Sequence, residues 1–157
     1  MTTSEDHVLA DEKSNTSKRN PAILGVHHFS PTVTDIEASV EWYQRVFGLE
    51  RVPTEFPHYG SEGSGYAVLL TDPRSNLAFG LHHHADNSGE SFDERRTGLD
   101  HIALSVASRE ELNAWADWLD QLGVARSAIT EMSDPFHYSV LVFRDPDNIQ
   151  LELFATE

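Results

Sequence analysis

Residues 98–106, GLDHIALSV, repeat the pattern of residues 25–33, GVHHFSPTV. In each stretch a histidine, His28 or His101, stands five positions before the valine that ends the stretch. A polar residue that favours the start of a helix follows shortly after. This repetition predicts that the chain contains two copies of one module, each opening with a strand and a helix.

The two copies also end on related sequences. Residues 143–154, FRDPDNIQLELF, have a degraded counterpart in residues 70–81, LTDPRSNLAFGL. When the asparagines of the two stretches are aligned, Glu152 is paired with Gly80. The first copy therefore has no side chain at a position where the second copy has a carboxylate.

Composition limits the classes of function. At 157 residues and 39% hydrophobic content, the chain has the size and apolar content of one globular domain. The absence of cysteine excludes a disulfide scaffold, a thiolate metal site and a cysteine nucleophile. A formal net charge of -15 opposes binding to nucleic acid or to an anionic membrane. The sequence has neither an apolar run of roughly 20 residues, which would span a bilayer, nor a signal peptide, so we expect a cytoplasmic protein.

The order of segments along the chain indicates one folded domain behind a tail. Residues 1–21 are polar and are predicted to be disordered. Residues 22–157 are predicted to form a single domain. Its parts are module one at 22–84, a polar linker at 85–97 and module two at 98–157.

Hydrophobic periodicity predicts the order β-α-β-β-β in each module. In module one we expect a strand at 23–33, a helix between Thr34 or Asp35 and Gly48, and strands at 51–56, 66–71 and 77–84. In module two we expect a strand from His101, a helix that begins at the Ser108 and Glu111 capping box and ends at Gly123, and strands at 124–130, 137–144 and 149–154.

Alternation along the strands places three polar side chains on the face opposite the helices. In the first strand of module two, Ile102 and its alternate neighbours face the helix, so His101 faces the other way. In the last strand the leucines on either side of Glu152 pack under the helix, so Glu152 also faces away from it. Repeat symmetry gives His28 the same direction. Two imidazoles and one carboxylate are the donor set of a facial triad that leaves open positions on a divalent metal.

At these residues the chain resembles the vicinal-oxygen-chelate superfamily. That superfamily includes glyoxalase I, type I extradiol dioxygenases, fosfomycin-resistance enzymes, methylmalonyl-CoA epimerase and bleomycin-resistance proteins. The resemblance extends over roughly residues 23–154. It rests on His28 before VTD at 33–35, WY at 42–43 before FGL at 47–49, DHI at 100–102, and DPDN at 145–148 leading to Glu152.

The resemblance implies an α+β fold in which two paired modules form a cup-shaped mixed sheet with the helices on its convex face. It also implies one divalent metal ion, Fe(II), Mn(II), Zn(II), Ni(II) or Co(II), held by His28, His101 and Glu152. A small-molecule substrate would bind the ion through vicinal oxygens. Because such cups often form between two copies, we expect a homodimer. The alternative is that a single chain with both modules closes its own cup.

Gly80 departs from glyoxalase-type members, which have a fourth ligand or a proton-shuttling carboxylate at this position. His82 lies on the same strand face about 7 Å further along, and we expect it either to replace the missing base or to reach the metal through water. His83 points to the opposite face. Tyr138 has the parity of the concave face and is predicted to orient a phenolic or enediol oxygen.

We therefore expect a metal-dependent enzyme with His82 and Tyr138 as its catalytic residues. Lyase or isomerase chemistry is slightly favoured, because most residues that assist ring cleavage are not visible in the sequence. One alternative is an Fe(II)-dependent extradiol dioxygenase acting on a catechol-like substrate. Another is a non-catalytic resistance protein that binds a drug or metabolite.

Overall fold

The computed structural model describes residues 21–156. The predicted tail, 1–21, lies outside the described residues apart from its last position. The described chain has two helices and seven strands in two sheets, which confirms the α+β fold class. In chain order the elements are α1 (Ile36–Phe47), β1 (Glu50–Pro57), β2 (Gly65–Thr71), β3 (Ala78–His84), β4 (His101–Ser105), α2 (Arg109–Gln121), β5 (Thr130–Met132), β6 (Tyr138–Arg144) and β7 (Gln150–Thr156).

Both helices begin and end close to the predicted residues. Asp35 caps α1 by accepting a hydrogen bond from a backbone N–H of its first turn, and Gly48 ends the helix in the left-handed conformation at φ 69°. Ser108 caps α2 by accepting from the N–H of Glu111 at 3.3 Å, and Gly123 follows the helix at φ 69°. Within residues 21–156, neither helix combines the length and apolar character that crossing a membrane requires.

The two sheets have related topologies. The first has the order β1-β2-β3, and residues 29–33 run parallel to β3 through bridges from Phe29 to Phe79 and from Thr32 to His82. The second has the order β4-β7-β6-β5, with β4 parallel to β7. In each module the first extended segment therefore lies beside the last strand, as the repeat predicts.

Two predicted strands differ from the observed ones. The strand predicted at 23–33 does not form as a regular strand: residues 29–33 make only the two isolated bridges to β3. Ile23 and Leu24, which are 91% and 102% exposed, pack against nothing among residues 21–156 that would hold an extended segment in the sheet. The strand predicted at 124–130 is wrong for most of its length, since β5 begins only at Thr130. Before that point, the Ser127 hydroxyl accepts the N–H of Val142 at 3.0 Å and interrupts the regular backbone ladder.

The modules pack against each other through their helix-bearing sides and share one core. Trp42 of α1 lies against Phe143 of β6, with ring centroids 6.3 Å apart, and Phe47 contacts Trp115 of α2 at 5.9 Å. The indole N–H of Trp118 donates to the carbonyl of Val46 at 2.9 Å. The apolar faces of both sheets and both helices therefore form one cluster.

The DPDN turn between β6 and β7 contains two carboxylates that are only 6% exposed. Asp145 accepts hydrogen bonds from the Tyr43 hydroxyl at 2.9 Å and from the N–H of Ile149 at 2.8 Å. Asp147 accepts from both the N–H and the hydroxyl of Thr34, at 3.1 and 2.5 Å. The turn of module two is thus bonded to the helix and helix start of module one.

Burial raises the pKa of the Asp145 carboxyl from 3.8 to about 6, although the Ile149 N–H and the Tyr43 hydroxyl act in the opposite direction. The native carboxyl therefore retains its proton to a higher pH than the unfolded one. Between these two pKa values the native state binds more protons than the unfolded state. Stability accordingly falls as pH rises through this window.

This linkage can be measured with Asp145→Asn, which keeps the size of the side chain and cannot ionise. Relative to this variant, we expect the free energy of unfolding of the unmodified protein to fall by about 2 to 3 kcal/mol between about pH 4 and pH 6 and then to level off. Urea denaturation across this pH range gives the difference. If the free energy of unfolding of the unmodified protein instead rose relative to Asp145→Asn as the pH increased, the hydrogen bonds to Asp145 would outweigh burial in setting its pKa.

Candidate metal centre

His101 and Glu152 lie on neighbouring parallel strands, β4 and β7. Their side chains share one face of the sheet, because Ile102, Leu151 and Leu153 point into the core. The Nε2 atom of His101 is 3.6 Å from a carboxylate oxygen of Glu152. The structure therefore brings together two of the three predicted metal ligands.

The orientation of His101 fits a metal ligand. Its Nδ1 lies 2.7 Å from a carboxylate oxygen of Asp100, which leaves Nε2 directed toward Glu152. A carboxylate on the second ring nitrogen is the usual partner of a metal-bound histidine, since it fixes the ring and its tautomer. An imidazole nitrogen and a carboxylate oxygen also suit Fe(II), Mn(II) and Zn(II).

Tyr138 shares a cavity with Glu152, on the face that strand parity predicts. The cavity has a volume of about 580 Å³ and is lined also by Val140, Phe136 and Phe154. The Tyr138 ring stacks on Phe154 with centroids 5.0 Å apart and an interplanar angle of 13°. The phenol is thereby held beside the carboxylate of the candidate metal site.

His28 lies in a different cavity, on module one. This cavity, of about 660 Å³, is lined also by His27, Gly80 and His82. The Nδ1 of His28 is 2.8 Å from that of His27, whose side chain also borders the cavity. Across residues 21–156, no group within ligand range combines His28 with His101 and Glu152.

His82 faces the space that a side chain at position 80 would fill. A Cβ atom built on Gly80 would lie 3.9 Å from the Nε2 of His82 and 3.7 Å from the ring of His28. Burial lowers the pKa of His82, with further lowering from His58, His84 and His28. The structure thus places the His82 imidazole beside position 80, where the resemblance to glyoxalase-type members implies a fourth ligand or a proton-shuttling carboxylate.

Sequence reasoning missed His58, which follows β1. Its Nε2 lies 3.0 Å from the Nδ1 of His82, and its Nδ1 lies 3.1 Å from the hydroxyl of Ser64. The ring centroid of His58 is also 4.3 Å from that of His84. The spacing of His82 and His84 in the sequence indicates that they share one strand face. His58 joins them only through the register of β1, β2 and β3, which the sequence does not reveal.

Gly65 allows this arrangement at the start of β2. A Cβ atom at this position would lie 1.9 Å from the carbonyl oxygen of His83 and 2.8 Å from the Cε1 atom of His58. Both distances are shorter than real Cβ contacts. Only glycine lets the backbone approach both groups so closely.

Comparisons with known proteins agree with this fold. A sequence model described as Glyoxalase/Bleomycin resistance protein/Dioxygenase superfamily matches residues 25–153. The solved glyoxylase/bleomycin resistance protein/dioxygenase domain from Frankia sp. EAN1pec is 31% identical with a TM-score of 0.72, over 87% of this chain and 94% of that chain. The fosfomycin resistance protein FosX from Listeria monocytogenes, solved with Mn(II), is 22% identical with a TM-score of 0.58, over 87% of this chain and 95% of that chain, and this likeness concerns the fold alone.

One curated relative carries the name of an activity. "Putative ring-cleaving dioxygenase MhqA" of Bacillus subtilis is 29% identical over 100 residues, which are 64% of this chain. The matched part is 31% of that relative. The chain therefore matches about a third of the length of MhqA.

The close approach at Gly65 can be tested by Gly65→Ala. We expect a loss of more than about 3 kcal/mol in the free energy of unfolding, because the new methyl group would collide with the backbone of β3. Gly63→Ala is the matched control, since the space around Gly63 is open and only its positive φ of 88° opposes alanine. The free energy of unfolding of Gly63→Ala should fall by about 1 kcal/mol. Equal losses in chemical denaturation would contradict the steric explanation.

Proposed function

Since the chain belongs to the Glyoxalase/Bleomycin resistance protein/Dioxygenase superfamily, we propose that it is a divalent-metal-dependent enzyme acting on a small substrate that chelates the metal through vicinal oxygens. The single observation that carries this proposal is the pairing of His101 with Glu152 on the polar face of β4 and β7, at 3.6 Å. Asp100 orients the histidine as a ligand.

His28 of a second copy completes the proposed ligand set. Within one chain the modules pack by their helix-bearing sides, and the two candidate cavities contain different members of the set. Apolar side chains stand exposed beside both cavities: Tyr59 is 85% exposed, Phe136 52% and Met132 45%. A second copy that joined cavity to cavity would bury these side chains and bring His28 to His101 and Glu152. The proposed assembly is a homodimer.

The chain's own groups can orient the substrate and move a proton. A bound divalent ion supplies Lewis-acid polarisation of the substrate oxygens. When His58 donates from Nδ1 to Ser64, its Nε2 accepts from the Nδ1–H of His82, which leaves a lone pair on His82 Nε2. That nitrogen faces the space above Gly80 and can take a proton from a carbon next to a carbonyl. The Tyr138 hydroxyl can donate to a substrate oxygen. This geometry supports lyase or isomerase chemistry.

Oxidative ring cleavage is the second candidate, and the likeness to MhqA favours it. A two-histidine, one-carboxylate set leaves open positions on the metal for a catechol-like substrate and dioxygen. In this reaction Tyr138 would orient a phenolic oxygen, and Fe(II) would be the expected metal.

The shared metal site predicts complementation between two defective chains. His28→Gln and Glu152→Gln homodimers should each bind one ion fewer per chain than the unmodified protein. A heterodimer of the two variants has one cup with both substitutions and one cup with neither. We expect it to regain one ion per dimer, measured by elemental analysis after anaerobic reconstitution.

A cup formed within one chain would give no such recovery, since each chain would hold one defective cup. Equal metal content in the unmodified protein, the two variant homodimers and the heterodimer would overturn the metal site itself. A non-catalytic protein that binds a drug or metabolite would then be the better explanation. Size-exclusion chromatography with light scattering checks that every variant is dimeric.

The reaction type can be tested with two probes on the same reconstituted protein. With an α-hydroxycarbonyl substrate in D₂O, we expect deuterium to enter the α-carbon, detected by NMR. His82→Gln should lower kcat about 100-fold or more, as expected for loss of a general base, and leave KM nearly unchanged. His83→Gln is the matched control, because His83 lies on the opposite strand face against Tyr66. Oxygen uptake and a ring-opened product with Fe(II) and catechol would instead establish the second candidate.

A further inference from the structure

We propose that His58, His82 and His84 form a second metal site on module one, with Zn(II) as its expected ion. Each offers one ring nitrogen, and these three atoms all lie within 4.8 Å of one another. His58 and His82 are half-buried and His84 is exposed. The cluster is separate from His101 and Glu152, which lie on the other sheet.

The spacing of the nitrogens is close to that of a loaded site. Two nitrogens bound at about 2.0 to 2.1 Å to a tetrahedral Zn(II) lie about 3.3 Å apart. His58 Nε2 and His82 Nδ1 are 3.0 Å apart, so a small separation of the two rings would admit the ion. The ring centroid of His84 lies 4.3 Å from that of His58 and 6.2 Å from that of His82. One ring nitrogen of His84 lies within 4.8 Å of the other two ligand atoms and would supply the third ligand.

The surrounding structure fixes the rings from outside the cluster. Ser64 holds the Nδ1 of His58, so its Nε2 is the nitrogen left for the cluster. A hydrogen bond on the second ring nitrogen is the usual support of a metal-bound histidine. His82 and His84 stand two residues apart on β3, whose register pairs them with Ala67 and Gly65. Ligands on paired strands are held more rigidly than ligands on loops.

The chemistry of the cluster selects the class of ion. Three imidazoles with no thiolate suit Zn(II), Co(II), Ni(II) or Cu(II) and suit Mg(II) or Ca(II) poorly. With three protein ligands, a fourth position opens toward the cavity that His28 also lines. That position would accept water or an anionic group of a small ligand.

An ion at this cluster would change the role of His82. With the ion on Nδ1, the neutral ring carries its proton on Nε2 and donates toward the space above Gly80. Without the ion, the same Nε2 can accept. Occupancy of the second site would thus convert the proposed base into a donor, a consequence that rests on the proposed function, whereas the site itself does not.

The test uses the full chain without an affinity tag, freed of metal by a chelator that is then removed. Glu152→Gln serves as the parent, so that the first metal site is already disabled. Titration with Zn(II) by calorimetry, and elemental analysis after gel filtration, should give one ion per chain. Replacing His58 or His84 by Gln in this parent should weaken binding at least about 100-fold. His83→Gln should leave it unchanged.

Nitrogen NMR of the parent gives an independent result if a variant fails to fold. Addition of Zn(II) should shift the Nε2 of His58 and the Nδ1 of His82, and should leave both ring nitrogens of His83 in place. The proposal is overturned if the parent retains no ion, if His58→Gln binds as tightly as the parent, or if the shifts fall on His27 and His28. None of these results depends on the first metal site at His101 and Glu152.

Discussion

The structure depends on two buried carboxylates in the turn between β6 and β7. A carboxylate taken out of water costs several kcal/mol unless donors replace its hydration. Asp145 finds its donors in its own turn and in Tyr43, whereas Asp147 finds them in Thr34. Since Tyr43 and Thr34 belong to module one, the turn of module two is satisfied only when the modules are docked. This dependence makes the two halves of the chain one folding unit.

The same docking decides where the polar faces of the sheets point. Because the helix-bearing sides are buried together, the cavity of His28 and the cavity of Glu152 lie on the outer faces of their modules. The turn leads directly into β7, which carries Glu152. The hydrogen bonds of Asp145 and Asp147 therefore help to position Glu152. A constraint that stabilises the single chain therefore separates the predicted ligands. In the proposed homodimer, a second copy would supply the missing ligand.

The parts of the fold that local patterns determine could be predicted from the sequence. Helix caps at Asp35 and Ser108 depend on nearby residues, and the facing of His101 and Glu152 follows from the alternation of apolar neighbours. Longer-range features could not be predicted in this way. Repeat symmetry predicts on which side of its strand His28 points. It does not predict whether that side lies near His101 and Glu152 of the same chain. His58 joins His82 only through the register of three strands, and the hydroxyl of Ser127 replaces a backbone acceptor that no pattern reveals.

Gly80 connects the two candidate sites on module one. A Cβ atom at position 80 would lie 3.0 Å from the Ser30 hydroxyl, 3.7 Å from the His28 ring and 3.9 Å from the Nε2 of His82, so these three side chains border the position where His82 is proposed to act as the base. The other ring nitrogen of His82 is engaged by His58, which Ser64 holds in turn. One imidazole therefore belongs to both the cavity of His28 and the histidine cluster. In the proposed enzyme, an ion at the cluster would set the position of the proton on His82, so the proton transfer proposed beside Gly80 would also depend on His58 and His84.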